Sequence, residues 1–300
     1  MQPAKPNRLA WMALGVVCIV WGTTFLGIRI GVHYLPPLVF TIIRLTLAGT
    51  IFLFINRRRI RWRLLTPKIL LLHLATGTLL FSVGVGLVGI AEVTISGGLA
   101  AVIASMIPVW IICINLIINR TERPSAAVIA GILIALAGIF LIYGEHHGFR
   151  ISGNYSGILL MFMAGLGWAS GTVWIKRYSA TAEATGAGGF HLLLGGIALI
   201  PASLITEDWP SVSIGTEVLL VVAYMVLIGS VFSFFCYLYA LRHLPLTIVS
   251  TYAYVNPVVA VIFGWLLLDE MLNARIMIGM IVTLAGVFMV NSGFMGKPAK

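Results

Sequence analysis

Few residues in this chain could do chemistry, and most of those lie inside apolar runs. Arg44 sits in FTIIRLTLAG (40–49). A charge that deep in lipid costs about 2.5–3.5 kcal/mol unless it finds a partner or a wet cavity. It is too far from the run's ends to snorkel freely. Glu92 is the nearest acid by depth and Arg29 the nearest base. A structural salt bridge to Glu92 and direct contact with a solute would each answer Arg44's need. His191 lies in a second run, GGFHLLLGG (188–196). It is either a proton-responsive group or a hydrogen-bond partner for a neighbouring helix. Pro108 and Pro257 each remove one intrahelical hydrogen bond, leaving the carbonyls of Ala104 and Ala253 short of a donor. A packing kink and a cavity-lining hinge both follow from that. Asn256 joins Ser250, Thr251, Tyr252 and Tyr254 in one run polar enough to face water or solute. Trp21, with Thr23 and Thr24, stands more than ten residues from Arg8, too deep for an interfacial anchor. Cavity lining and packing both suit it.

Other chemistry is not encoded. There is no HExxH, no Ser/His/Asp set and no carboxylate pair at mid-depth. Gly84-x-Gly86 follows no strand and is no nucleotide loop. Cys18, Cys113 and Cys236 lack metal-ligand spacing and a paired framework. His146-His147 could bind a metal, but adjacent loop histidines are commonly incidental. No cofactor is expected.

The elements holding these residues are membrane helices. The 300 residues are 60% hydrophobic and 9% charged, with mean hydropathy +1.06. Soluble domains carry about 25% charged residues, and this chain could not cover its surface in water. Charges punctuate ten apolar gaps; the shortest, Arg8 to Arg29, encloses 20 residues. A spanning helix needs roughly 20. Spanning strands would be shorter and would alternate polar with apolar. The first gap lacks an A-x-A-like cleavage site, so an uncleaved first helix is expected. With the N-terminus in the cytoplasm, fifteen of nineteen Lys and Arg fall on the cytoplasmic side. Arg29, Arg150 and Arg275 fall opposite, and Arg44 lies within the membrane. That asymmetry obeys the positive-inside rule. It also accounts for the net charge of +10 without nucleic acid. The stretch RRRIRWR (57–63) could touch anionic lipid, though topology alone explains it.

The chain repeats itself. Ile19 to Ile30 lies over Leu166 to Arg177 at an offset of 147, matching Trp21 with Trp168 and Thr23 with Ser170. The same offset places Arg44 over His191. Pro108 meets Pro257 at 149, and GILIALAG (131–138) meets GMIVTLAG (279–286) at 148. Each half, 9–143 and 156–292, holds five gaps. An odd number forces the halves to be inserted upside down relative to each other. The expected fold is therefore all-α, with ten transmembrane helices as two inverted five-helix repeats. Such repeats suit carriers, which exchange inward-open and outward-open shapes around a midplane site.

The order of motifs resembles the EamA repeat of the drug/metabolite transporter superfamily. Trp-Gly in the first helix, a mid-helix proline in the fourth, and Glu before a Gly-rich fifth carry the likeness. WGTTFLGIRIGVHYLPPL, Arg44, Ala91-Glu92 before SGGLAAV, and STYAYVNPVVAV resemble its YedA/PecM-type metabolite exporters. The resemblance runs from about Leu9 to Ser292. It implies alternating access and export of amino acids, metabolites, pigments or drugs. It also implies a cavity lined by the first, third, fourth, sixth, eighth and ninth helices. Trp21, Thr24, Arg44, Trp168, Ser170, Tyr252 and Asn256 are the candidate solute-binding residues. Glu92, Pro108, His191 and Pro257 are candidates for gating or coupling. A small solute, the bilayer, and a proton or exchanged solute are the expected partners. The expected location is a bacterial inner membrane, with both termini cytoplasmic. An uptake carrier of the same fold and an integral membrane enzyme are the competing readings; a channel, which usually arises from oligomer symmetry, ranks behind them.

Overall fold

The computed structural model describes residues 7–118, 125–147, 155–177, 187–209 and 215–295. Lys5, Arg120, Glu122, Arg123, Arg150, Glu183, Lys297 and Lys300, and the side chains of His146 and His147, lie outside the described residues. Among those described, eight helices are long and apolar enough to cross a bilayer. These are α1 (Arg8–Tyr34), α2 (Pro37–Asn56), α3 (Pro67–Ala91), α4 (Gly97–Ile118), α5 (Ala126–Gly144), α6 (Ser156–Arg177), α7 (Gly188–Thr206) and α8 (Thr216–His243). Two apolar helices are shorter, α9 (Tyr252–Leu268) and α10 (Ala274–Val290). Large apolar side chains stand exposed around the bundle, with Ile205 84% and Ile117 72% accessible. Water would penalise such a surface; hydrocarbon does not.

Local chemistry starts and interrupts these helices. The side chains of Asn7, Thr66 and Ser96 cap α1, α3 and α4 by accepting from Ala10, Ile69 and Leu99 N–H. Two acids from elsewhere in the chain cap helix starts by tertiary contact. The Glu207 carboxylate accepts from the N–H groups of Leu38 and Val39 at 2.7 and 2.9 Å. The Glu270 carboxylate accepts from those of Gly97 and Gly98 at 3.1 and 3.3 Å. Each places negative charge where the helix dipole favours it. α4 breaks between Gly97–Ala104 and Ile107–Ile118, directly before Pro108. The ninth apolar stretch also breaks, but not at its proline. Pro257 lies inside continuous helix, and the interruption separates Leu246–Val249 from Tyr252–Leu268. The two prolines are therefore not equivalent hinges. Near the break, the Thr251 hydroxyl bonds the Ile248 carbonyl at 2.7 Å, a local bond that competes with the helix ladder.

Two wide-turn segments were not legible in the sequence. Thr78–Gly86 within α3 and Leu227–Phe232 within α8 are π-helical. They overlap at the repeat offset, so both halves widen at the same place.

Packing is exchange-symmetric. α1 packs on α9 and α6 on α4; α3 packs on α6 and α8 on α1; α2 packs on α7, and α5 on α10. Moving each helix five places along maps this set onto itself. The α5–α10 seam shows the pattern at residue level. A Cβ on Gly131 would lie 2.7 Å from the Gly286 carbonyl oxygen, and one on Gly138 would lie 2.5 Å from that of Gly279. These glycines are repeat counterparts, crossed. The seam is antiparallel, and only residues without a side chain permit so close an approach.

Candidate functional site

A cavity with about 790 Å³ of empty space, its mouth included, lies at mid-depth, and both halves line it. Trp21, Thr24, Phe25 and Ile28 come from α1, Arg44 from α2, and Phe81, Gly84, Val85 and Val88 from α3. α4 adds Ala101, Ala104 and Ile107; α6 adds Met161, Ala164, Gly165 and Trp168. Leu192 comes from α7, Gly229, Ser230 and Phe234 from α8, and Tyr252, Ala253 and Asn256 from α9. The six helices implied by the family resemblance all take part. α2 and α7 join them, each through one residue.

An aromatic cluster bounds the cavity toward the end of the bundle where α1 begins. Trp21 and Trp168, the counterparts of the two halves, meet edge to face at 5.1 Å between centroids. Trp21 also meets Tyr252 at 5.0 Å and Tyr237 at 4.8 Å. Phe81 and Phe234 meet edge to face, 5.1 Å between centroids, and Phe81 meets Trp168 the same way at 5.9 Å. Such contacts add about 0.5–1.5 kcal/mol each beyond burial. Polar bonds fix the cluster's orientation. Trp21 Nε1 donates to the Ser233 hydroxyl at 2.8 Å, and the hydroxyls of Tyr237 and Thr172 lie 2.8 Å apart. Gly22, the second half of the Trp-Gly motif, faces α9, where a Cβ would strike Val259 at 2.5 Å. The motif thus delivers an aromatic to the cavity and lets α9 come close behind it.

Arg44 is buried and lies in the cavity wall. Its Nε donates to the Ser230 hydroxyl at 2.8 Å and its Nη2 to the Gly229 carbonyl at 3.3 Å. Both acceptors belong to the π-helical segment of α8. The expected Arg44–Glu92 salt bridge is absent among the described residues. Glu92 is fully buried, and neither carboxylate oxygen has a hydrogen-bond partner there. Arg29 does reach this position, but it donates to the Glu92 backbone carbonyl. The reason is geometric. α2 and α3 touch where Thr41 faces Gly89. Arg44 lies three residues to one side of that contact and Glu92 three to the other, so the rise separates them by about 9 Å.

The remaining candidates divide. Thr24 lines the wall, its hydroxyl bonded to the Trp21 carbonyl at 2.7 Å. Asn256, with its amide nitrogen donating, bonds the carbonyls of Tyr252 and Cys18 at 3.0 and 2.9 Å. Ser170 stands off the cavity, its hydroxyl bonded back to Leu166 at 2.8 Å. Pro108 and Pro257 are buried beside lining residues without lining the cavity themselves. His191 is also off the cavity. It is buried against α3, with Nε2 3.3 Å from Nδ1 of His73. Phe81, Phe234 and Ser230 were missed. The phenylalanines look like core, but Ser230 and Ser233, three apart in an apolar run, were a readable signal.

A two-half bundle with a walled mid-depth cavity can be compared with known proteins. The model of the EamA-like transporter family matches residues 9–144 and again 155–292.

The chain belongs to the EamA-like transporter family.

Its relatives include the uncharacterized inner membrane transporter YedA of Escherichia coli K12. That protein is 33% identical, over 96% of this chain and 92% of the relative. The uncharacterized transporter YoaV of Bacillus subtilis is 24% identical, over 92% and 95%. A solved crystal structure 19% identical to the chain superposes with a TM-score of 0.65, covering 93% of this chain and 95% of that one. That likeness bears on the fold alone. The EamA assignment makes this a transporter-family membrane protein.

Proposed function

We propose that this EamA-family protein is a secondary transporter that exports a small organic solute across a bacterial inner membrane by alternating access. The halves, 9–143 and 156–292, act as two inverted five-helix repeats, giving ten spans with both termini in the cytoplasm. The observation that carries this reading is the cavity. It lies where the halves meet, and the counterpart residues Trp21 and Trp168 meet at its edge. The exchange-symmetric packing and the antiparallel α5–α10 seam support the inverted arrangement. On this topology the aromatic cluster closes the cytoplasmic side.

The wall suits a solute with an apolar body and a group that Arg44 can receive. Trp21, Thr24, Arg44, Trp168, Tyr252 and Asn256 form the binding set. No acid lines the cavity among the described residues. The test is counterflow in proteoliposomes, using a panel of labelled amino acids and organic acids. At least one should show saturable exchange, and Trp168→Ala or Arg44→Met should reduce it about tenfold or more. No exchange across the panel by well-folded protein would overturn the reading. Everted vesicles then separate export from uptake, since an exporter accumulates solute inside them.

A further inference from the structure

The cavity and its aromatic floor belong to the transport reading, but one buried group does not. Glu92 is 0% exposed, and neither carboxylate oxygen has a hydrogen-bond partner among the described residues. An ionised carboxylate left in that state is among the costliest things a protein interior can hold. A neutral carboxylic acid is not. The charged groups acting on it come from three elements. Arg29 reaches in from α1, Arg44 from α2, and Glu270 from the segment after α9. Each is engaged elsewhere. Arg29 donates to the backbone carbonyl of Glu92, Arg44 is held by Ser230 and Gly229, and Glu270 caps α4. Tyr224 of α8 is the remaining titratable group near Arg44. Glu270 adds a second negative charge that opposes ionisation of Glu92.

We propose that Glu92 is a proton-binding site of the transport cycle, occupied in this conformation and emptied when Arg44 exchanges Ser230 and Gly229 for its carboxylate. This rests on the carrier reading. The step balances: the carboxylic O–H breaks, the proton leaves to water, and the guanidinium already present neutralises the carboxylate. Arg44 keeps its own proton throughout. Because its partners in the occupied state belong to the π-helical segment of α8, movement of α8 against α2 would couple the solute cavity to Glu92. A two-partner arginine of this kind is a bistable element that proton and solute both bias.

Infrared difference spectroscopy on the purified full chain tests the site without a substrate. Near neutral pH, wild type minus Glu92→Gln should show the carbonyl stretch of a protonated, poorly hydrogen-bonded acid, fading as pH rises. Carboxylate bands instead, at neutral and mildly acidic pH, would overturn the proposal. Glu92→Asp should shift the band and serves if the glutamine variant does not fold. Ser230→Ala removes one competitor for Arg44, so the acid band should weaken at fixed pH; an unchanged band would refute the exchange. In proteoliposomes, an imposed pH gradient should accelerate wild-type movement of the carried solute several-fold. The Glu92→Gln pH profile should be flat, whatever its absolute rate. If wild type carries no solute, the transport reading fails and the infrared band still decides Glu92. If it carries solute indifferently to pH, the coupling is wrong and the carrier stands.

Discussion

At Arg44 the distinction between depth and contact matters most. The sequence makes Glu92 the nearest acid by depth and so invites pairing, yet this guanidinium turns to α8 and leaves Glu92 alone. The structure therefore predicts additive folding effects for Arg44→Met and Glu92→Gln, within about 0.5 kcal/mol in thermal melts. A direct pair would instead show partial recovery in the double variant. Arg44→Met and Ser230→Ala, which share a bond, should couple by about 0.5–3 kcal/mol. Lysine at position 44 should not restore the wild-type melting temperature, because it lacks the planar fork that meets Ser230 and Gly229 together. Trp21→Phe keeps the ring contacts and loses the bond to Ser233, so about 1 kcal/mol of stability should go with it. That Arg44 and Trp21 lie deep in the membrane was legible from sequence. Their partners were not, because a side chain's direction around its helix depends on which helix lies beside it.

Among the elements, the α5–α10 seam makes the sharpest prediction. Gly286→Ala would put a methyl 2.4 Å from Ala135 N and 2.5 Å from the Gly131 carbonyl oxygen. Backbone cannot yield there without separating the helices, so the melting temperature should fall clearly. Gly15→Ala in α1 meets nothing within 4 Å. It should be neutral or stabilising, by up to about 1 kcal/mol of helix propensity. Equal losses for the two variants would contradict this packing. The seam's glycines stand in the repeated segments GILIALAG (131–138) and GMIVTLAG (279–286), and the structure names the pairs. The π-helical segments had no such signal: their residues are those of any apolar helix.

For the whole molecule, orientation is the testable quantity. In a variant lacking Cys18, Cys113 and Cys236, a Ser152→Cys probe should react with an impermeant maleimide applied to intact cells. A Leu64→Cys probe, beside the basic run 57–63, should react only after permeabilisation. The reverse pattern would invert the topology and place the aromatic cluster on the outer side. The same experiment bears on the span count, since an unspanned stretch between the two probes would put both on one side.

The sequence by itself determined that this is a helical membrane protein built from a repeated unit. Hydropathy, charge spacing and duplication are local or periodic properties, and lipid leaves few ways to satisfy a backbone. It also marked seven candidate solute contacts, of which Trp21, Thr24, Arg44, Trp168, Tyr252 and Asn256 line the cavity and Ser170 does not. Only the tertiary structure decided which polar groups satisfy one another. It gave Arg44 to Ser230 and Gly229, turned Ser170 back onto its own helix, paired His191 with His73, and left the Glu92 carboxylate without a partner among the described residues. Those outcomes depend on rotation and on a rise of 1.5 Å per residue between neighbouring helices. A linear pattern records depth in the membrane, but not which face meets which.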